Sequence, residues 1–217
     1  MVSPGPIRHL VVLRHGITDH NAHGLWQGQL DIPLNETGLA QARTAARAIA
    51  AMKPVFVIGS DLARAHRTAE EVAASAGLEL EVEPALREIH VGRWQGLTAG
   101  EVAEQFPQLW AAVSAGEDLA RGESGETVAQ VAERARPAVQ AALERIGPGQ
   151  TGVLVTHGVT ARALTADLIG LDQSLAWRSY SGLVNCHWAR LGERADGWRI
   201  DAWNVGGCVG AADLGSA

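Results

Sequence analysis

The tripeptide Arg14-His15-Gly16 follows the apolar run His9-Leu10-Val11-Val12-Leu13. A strand therefore delivers an arginine and a histidine into the turn at its C-terminal end, where open α/β sheets bind ligands. Two further segments repeat the arrangement. Val55-Phe56-Val57-Ile58-Gly59-Ser60 runs into Asp61-Leu62-Ala63-Arg64, and Gly152-Val153-Leu154-Val155-Thr156 runs into His157-Gly158. Parallel strands share one C-terminal edge, so two histidines and two arginines can converge on one crevice. Guanidinium forks around imidazoles suit a phosphate group.

Position, not residue type, carries this reading. Lys53 is the sole lysine, so an arginine taken alone is a poor pointer to an anion site. Arg8, Arg43, Arg47, Arg134, Arg136, Arg145 and Arg194 lie in acidic, alanine-rich or loop stretches and read as solvated surface charge. Arg14 and Arg64 follow strands. A net charge of -6 disfavours nucleic acid or an anionic membrane as partner and leaves a small anionic ligand in a local positive pocket. Cys186 and Cys208 fall short of a disulfide framework and show no metal-ligand spacing. His20 and His23 lack a third ligand and, with Gly24 next, read as loop.

The elements that must position these residues alternate between strand and helix, within one domain spanning 1–217 whose core is about 9–204. Thr37 is the expected N-cap of a helix running to Met52, before Pro54. The second strand leads into a helix from about Ala63 to Ser75, closed by Gly77, and a short strand over 78–82. Thr98 with Glu101, and Thr127 with Gln130, have capping-box spacing. The first opens a short helix ending near Phe106 before Pro107. The second opens the longest helix, to about Ile146, with Val128, Val131, Ala135, Val139 and Leu143 as its buried stripe and a kink at Pro137. Strand 151–156, a helix from Thr160 to Ile169, and late strands over 184–190 and 198–204 complete the reading. The Gly- and Ala-rich tail 206–217 is expected to be mobile. No signal peptide or membrane-spanning stretch is legible, so a soluble, cytoplasmic protein is expected.

Four ordered blocks make the pattern specific. They are Leu13-Arg14-His15-Gly16 with Thr18 and Asn21; Ser60-Asp61-Leu62 with Arg64, Ala65, Thr68 and Ala69; Leu86-Arg87-Glu88 followed by Gly92, Trp94 and Gly96; and Thr156-His157-Gly158. Together, over about His9 to Asn204, they resemble the histidine phosphatase superfamily, the phosphoglycerate-mutase-like proteins. Within it the chain is most similar to the small phosphatase branch. The stretches Trp26 to Asp31, Gly92 to Thr98 and Asp201 to Asn204 resemble the actinobacterial glucosyl-3-phosphoglycerate phosphatases. The resemblance implies an α/β three-layer sandwich with a mostly parallel central sheet, a small phosphorylated substrate such as a sugar phosphate or glucosyl-3-phosphoglycerate, no cofactor and no metal, and a homodimer.

On that basis His15 is the expected nucleophile, a neutral imidazole forming a phosphohistidine. Arg14 and Arg64 clamp the phosphoryl oxygens, and His157 donates to them. Asn21 either contacts the phosphate or holds the tautomer of His15. The resemblance assigns acid and then base to Glu88. Gln27, Gly28 and Gly158 complete the expected substrate-binding set. Of seven tryptophans only Trp26, beside Gln27-Gly28, is a candidate for the pocket mouth; Arg87, Glu123 and Ser124 read as surface loop. Two rivals remain. A phosphoglycerate mutase shares the machinery, but mutases of the family carry a longer insertion than the 34 residues between Glu88 and Glu123, and an asparagine where Val159 stands. A non-catalytic binding module is disfavoured because no catalytic position is substituted.

Overall fold

The structure is a computed structural model and describes residues 6–207. The expectations for Cys208 and for the tail beyond Gly207 therefore lie outside the described residues. One six-stranded sheet has the order β3-β2-β4-β1-β5-β6. Strands β1 (His9–Arg14), β2 (Val57–Gly59), β3 (Leu80–Val82) and β4 (Thr151–Thr156) are parallel to one another. The late hairpin β5 (His187–Arg194) and β6 (Gly197–Gly206) is added antiparallel beside β1. β1 pairs with β4 in a register from His9 opposite Thr151 to Arg14 opposite Thr156.

Both faces of the sheet are covered, which is why β1 and β4 read as unbroken apolar runs rather than alternating ones. Leu10, Val12 and Leu154 face a core shared with Ala135, Val139, Ala161 and Leu164. Val11, Leu13, Val153 and Val155 face the opposite core with Ala42, Ile49, Ala69 and Val72. These layers are supplied by α6 (Val128–Glu144) and α7 (Gly158–Leu168) on one side, and by α2 (Glu36–Ala50) and α3 (Ala63–Ala76) on the other. A third core around Trp94, Val102, Phe106 and Val113 lies under α4 (Ala99–Gln105) and α5 (Pro107–Ser114). The remaining helices are the single turn α1 (Asp19–Ala22) and α8 (Gln173–Ser179). No helix among the described residues is long and apolar enough to cross a membrane.

Both capping boxes form, and Gly77 closes α3 in the left-handed conformation. Several expectations are corrected. The N-cap of α2 is Asn35 rather than Thr37, because the Asn35 side chain accepts from Gly38 N–H at 2.9 Å. α4 ends before Phe106 as expected, but Pro107 opens a helix that was not expected, α5, at whose first turn a missing N–H costs nothing. α7 starts at Gly158 rather than Thr160. α1 and α8 stand where no helix was expected, and His20 therefore sits in a helical turn rather than a loop. α6 runs from Val128 to Glu144 with Pro137 inside it.

Candidate active site

The floor of the site is built at the carboxyl ends of β1, β2 and β4, which are adjacent in the sheet. Backbone pairing continues one residue past β1 and β2: His15 N–H donates to Thr156 O at 3.0 Å and Ser60 N–H to Val155 O at 3.0 Å. The imidazoles of His15 and His157 meet edge to face with centroids 5.1 Å apart. His15 Nδ1 lies 2.7 Å from the carbonyl oxygen of Gly16. A carbonyl only accepts, so Nδ1 carries the proton and Nε2 keeps the lone pair. His157 Nε2 lies 2.9 Å from Ser60 Oγ, and its Nδ1 is buried without a partner.

Arg14 donates to Leu183 O at 2.6 Å, and Arg64, 1% exposed, donates to Gly28 O at 2.8 Å and Leu30 O at 2.7 Å. The Nε atoms of both arginines are buried and unpartnered. His157 Nδ1 and the two arginine Nε atoms are thus three buried polar atoms without a partner, and buried polar atoms are rarely left so. The electrostatics agree. Burial, with Arg64 and Arg14 nearby, holds the His15 pKa well below the ordinary imidazole value; burial, then Arg64, His15 and Arg14, do the same for His157. Burial pushes Arg64 down to about 10, which leaves it charged at neutral pH. Neutral imidazoles between charged guanidiniums are set to meet an anion.

Glu88 comes from a loop between β3 and α4, and its carboxylate takes over the N-terminus of α7. It accepts from Val159 N–H at 3.2 Å and from Thr160 N–H at 3.1 Å, which is why that helix begins early, while the Thr160 hydroxyl donates to the Arg87 carbonyl at 2.8 Å. A Cβ added to Gly158 would lie 3.5 Å from the Arg14 guanidinium carbon and 3.7 Å from Glu88 Oε2, so this glycine separates the two groups. Arg134, expected on the surface, instead holds the Glu88 segment: it donates to the carbonyls of Ala85, Arg87 and Glu88 and pairs with Glu126 at 2.7 Å. Arg87 turns away and pairs with Asp61, and Glu123 pairs with Arg93 in the open.

Asn21 sits in the capping box of α1. Its Oδ1 accepts from Thr18 N–H at 3.2 Å and from Asn185 Nδ2 at 3.3 Å, which leaves its own NH₂ for a ligand. Of the two roles open to it, holding the His15 tautomer is overturned, because the Gly16 carbonyl does that. Gln27 is buried and accepts from Thr18 Oγ1–H at 3.0 Å; Gly28 adopts φ +51°, which places its carbonyl on Arg64. A cavity of about 430 Å³ opens above this floor, bordered by Arg14, His15, Asn21, Gln27, Gly28, Glu88 and Gly158 among others. Arg64 and His157 lie beneath it rather than on its wall. Trp26 is among the residues lining the cavity, packed on Trp94 at 5.4 Å. Arg162 and Trp177 also line it, and sequence reading missed both. The one available signal was that Arg162 follows Gly158 by one helical turn and shares its face.

A family model for the histidine phosphatase superfamily, branch 1, matches residues 10–206. The glucosyl-3-phosphoglycerate phosphatase of Mycolicibacterium vanbaalenii is 38% identical over 218 aligned positions, covering 92% of this chain and 95% of that protein. A probable phosphoglycerate mutase of Photorhabdus laumondii is 32% identical over 194, covering 89% of each. A solved mycobacterial glucosyl-3-phosphoglycerate phosphatase in complex with VO3 superposes with a TM-score of 0.84 at 37% identity, over 91% of this chain and 99% of that one. The match runs from β1 through β6 and takes in every strand end that builds the floor, so the chain belongs to the histidine phosphatase superfamily, branch 1.

Proposed function

We propose that the chain is a phosphomonoesterase that hydrolyses glucosyl-3-phosphoglycerate through a phosphohistidine. The observation that carries the reading is a buried His15 whose Nδ1 is fixed on the Gly16 carbonyl, which leaves Nε2 without a partner, beside His157 at a 5.1 Å centroid separation and with Arg14 and Arg64 each keeping an unpartnered Nε. His15 Nε2 attacks phosphorus, the ester P–O bond breaks, and Glu88 delivers a proton to the departing oxygen. Water then attacks the phosphohistidine while Glu88 takes its proton, and phosphate leaves with His15 regenerated. Arg14, Arg64, His157 and the Asn21 amide hold the equatorial oxygens, so no metal is called on to neutralise them. Gln27, Gly28 and Gly158 border the bound ester. The names of the relatives at 37–38% identity support the substrate. The reading carries with it one domain over 1–217, a cytoplasmic location and a homodimer, and the net charge of -6 speaks against nucleic acid or an anionic membrane as partner.

The mutase reading rests on the relative at 32% identity, and it differs only in the acceptor of the second transfer. One experiment separates these. Rapid-quenched wild-type protein should hold acid-labile, base-stable phosphate, and His15→Ala should not, with circular dichroism unchanged. Phosphate release from a panel of phosphorylated metabolites should be fastest with glucosyl-3-phosphoglycerate and indifferent to EDTA. Near-normal hydrolysis by His15→Ala overturns the nucleophile. Transfer to a glycerate acceptor in preference to water establishes the mutase.

A further inference from the structure

The pocket holds one cation more than the floor uses. Arg162 lines the cavity from α7, and its guanidinium is covered by the Trp177 ring at 4.3 Å and by the Tyr180 ring at 5.9 Å. The residue is 8% exposed, its Nε is buried without a partner, and no acidic side chain among the described residues pairs with it. A guanidinium taken out of water without a counter-ion is costly, and the aromatic faces offset only part of that. The neighbouring Arg121 shows the contrast. It too lies against Trp177, at 5.6 Å, but it has Asp118 at 3.9 Å and hydrogen-bonds the carbonyl of Leu119.

The second cation sits close to the first. A Cβ on Gly182 would lie 3.6 Å from Arg162 Nη2, and the next residue, Leu183, receives the hydrogen bond from Arg14. Adjacent residues of one segment thus touch the guanidinium of the floor and the guanidinium of the wall. We infer that Arg162, framed by Trp177 and Tyr180, determines specificity by receiving a substrate carboxylate a few bonds from the phosphate ester. A lone fork fits a planar monoanion bidentately, whereas the floor meets a phosphoryl group with two arginines and a histidine. This rests on the phosphatase reading and deepens it, because the glycerate unit of the proposed substrate carries such a carboxylate.

The test compares two phosphate monoesters, 3-phosphoglycerate and glycerol 3-phosphate, which differ in a carboxylate against a hydroxymethyl group. Wild-type protein should favour the carboxylate in kcat/KM, and Arg162→Met should lower the ratio between the two esters by about 30- to 100-fold, the worth of a charge-assisted hydrogen bond. Arg162→Lys, which keeps the stem and the charge but loses the fork, should fall between. It also supplies the ratio if the methionine variant fails to fold. A ratio that neither variant moves overturns the inference while leaving the phosphatase intact. Wild-type protein that hydrolyses neither ester, nor any other in the panel, overturns both.

Discussion

Glu88 is the residue whose surroundings say most about its work. Its carboxylate accepts from three backbone N–H groups, of Ile89, Val159 and Thr160, which hold it in one position. That fixed position suits the base of the second step; the acid of the first is the role to test. Glu88→Gln should slow phosphoenzyme formation from an alkyl phosphate by roughly 10²–10⁴-fold and from p-nitrophenyl phosphate far less, because nitrophenolate departs without a proton. Rapid quench must read the first step alone, since in the proposed mechanism the shared dephosphorylation also draws on Glu88. Equal losses on both esters would remove it as the acid. Arg14, His15, Arg64 and His157 were legible in the sequence because each follows an apolar run that can only be a buried strand. Arg134 and Arg162 were not, because in a chain with a single lysine every helix face that needs a cation carries arginine, and burial, the property that separates them, is tertiary.

At the level of elements, the turn that carries His15 is set by how closely β1 and α2 approach. Gly38 lies in the first turn of α2, where a Cβ would come 2.0 Å from the carbonyl oxygen of Ile17 and 2.9 Å from its nitrogen. The same loop is tied to α2 by Asn35 N–H donating to Ile17 O and Ile17 N–H donating to Gln41 Oε1. Glycine to alanine in a helix ordinarily gains up to about 1 kcal/mol, whereas overpacking costs about 1–3 kcal/mol, and here the obstacle is backbone that cannot rotate aside. Gly38→Ala should therefore be destabilising by about 1–2 kcal/mol in urea unfolding and should lower turnover through the displaced loop; a gain in stability would mean the helix can slide. Elements with a local signal were read correctly: two capping boxes, a glycine stop, and strands with unbroken apolar runs. α8 escaped because it is short and its partner for Trp177 is a side chain on another helix. The site's far wall was lost with it.

For the molecule as a whole, two buried neutral histidines couple stability to acidity. Burial, the largest cause for each, keeps the folded pKa values of His15 and His157 well below the imidazole value near 6.5 that the unfolded chain shows. Below that value the unfolded chain binds protons that the folded one refuses. Stability is therefore complete above about pH 6.5 and falls as pH drops, by about 1.4 kcal/mol per pH unit for each histidine until its folded pKa is reached. Stability read by urea unfolding should hold from pH 7 to about pH 6.5 and fall below it, and the double variant His15→Asn, His157→Asn should flatten that fall; an unchanged fall would place the acid sensitivity elsewhere. The sheet order has a kinetic consequence of its own. β1 must find β4, and so His9 must reach Thr151, across most of the chain before His15 and His157 can face one another. Such non-local pairing is the slow, late part of folding. Nascent or half-folded chains should therefore have no hydrolytic power, and recovered activity after dilution from denaturant should rise in step with the final cooperative phase, without an early burst.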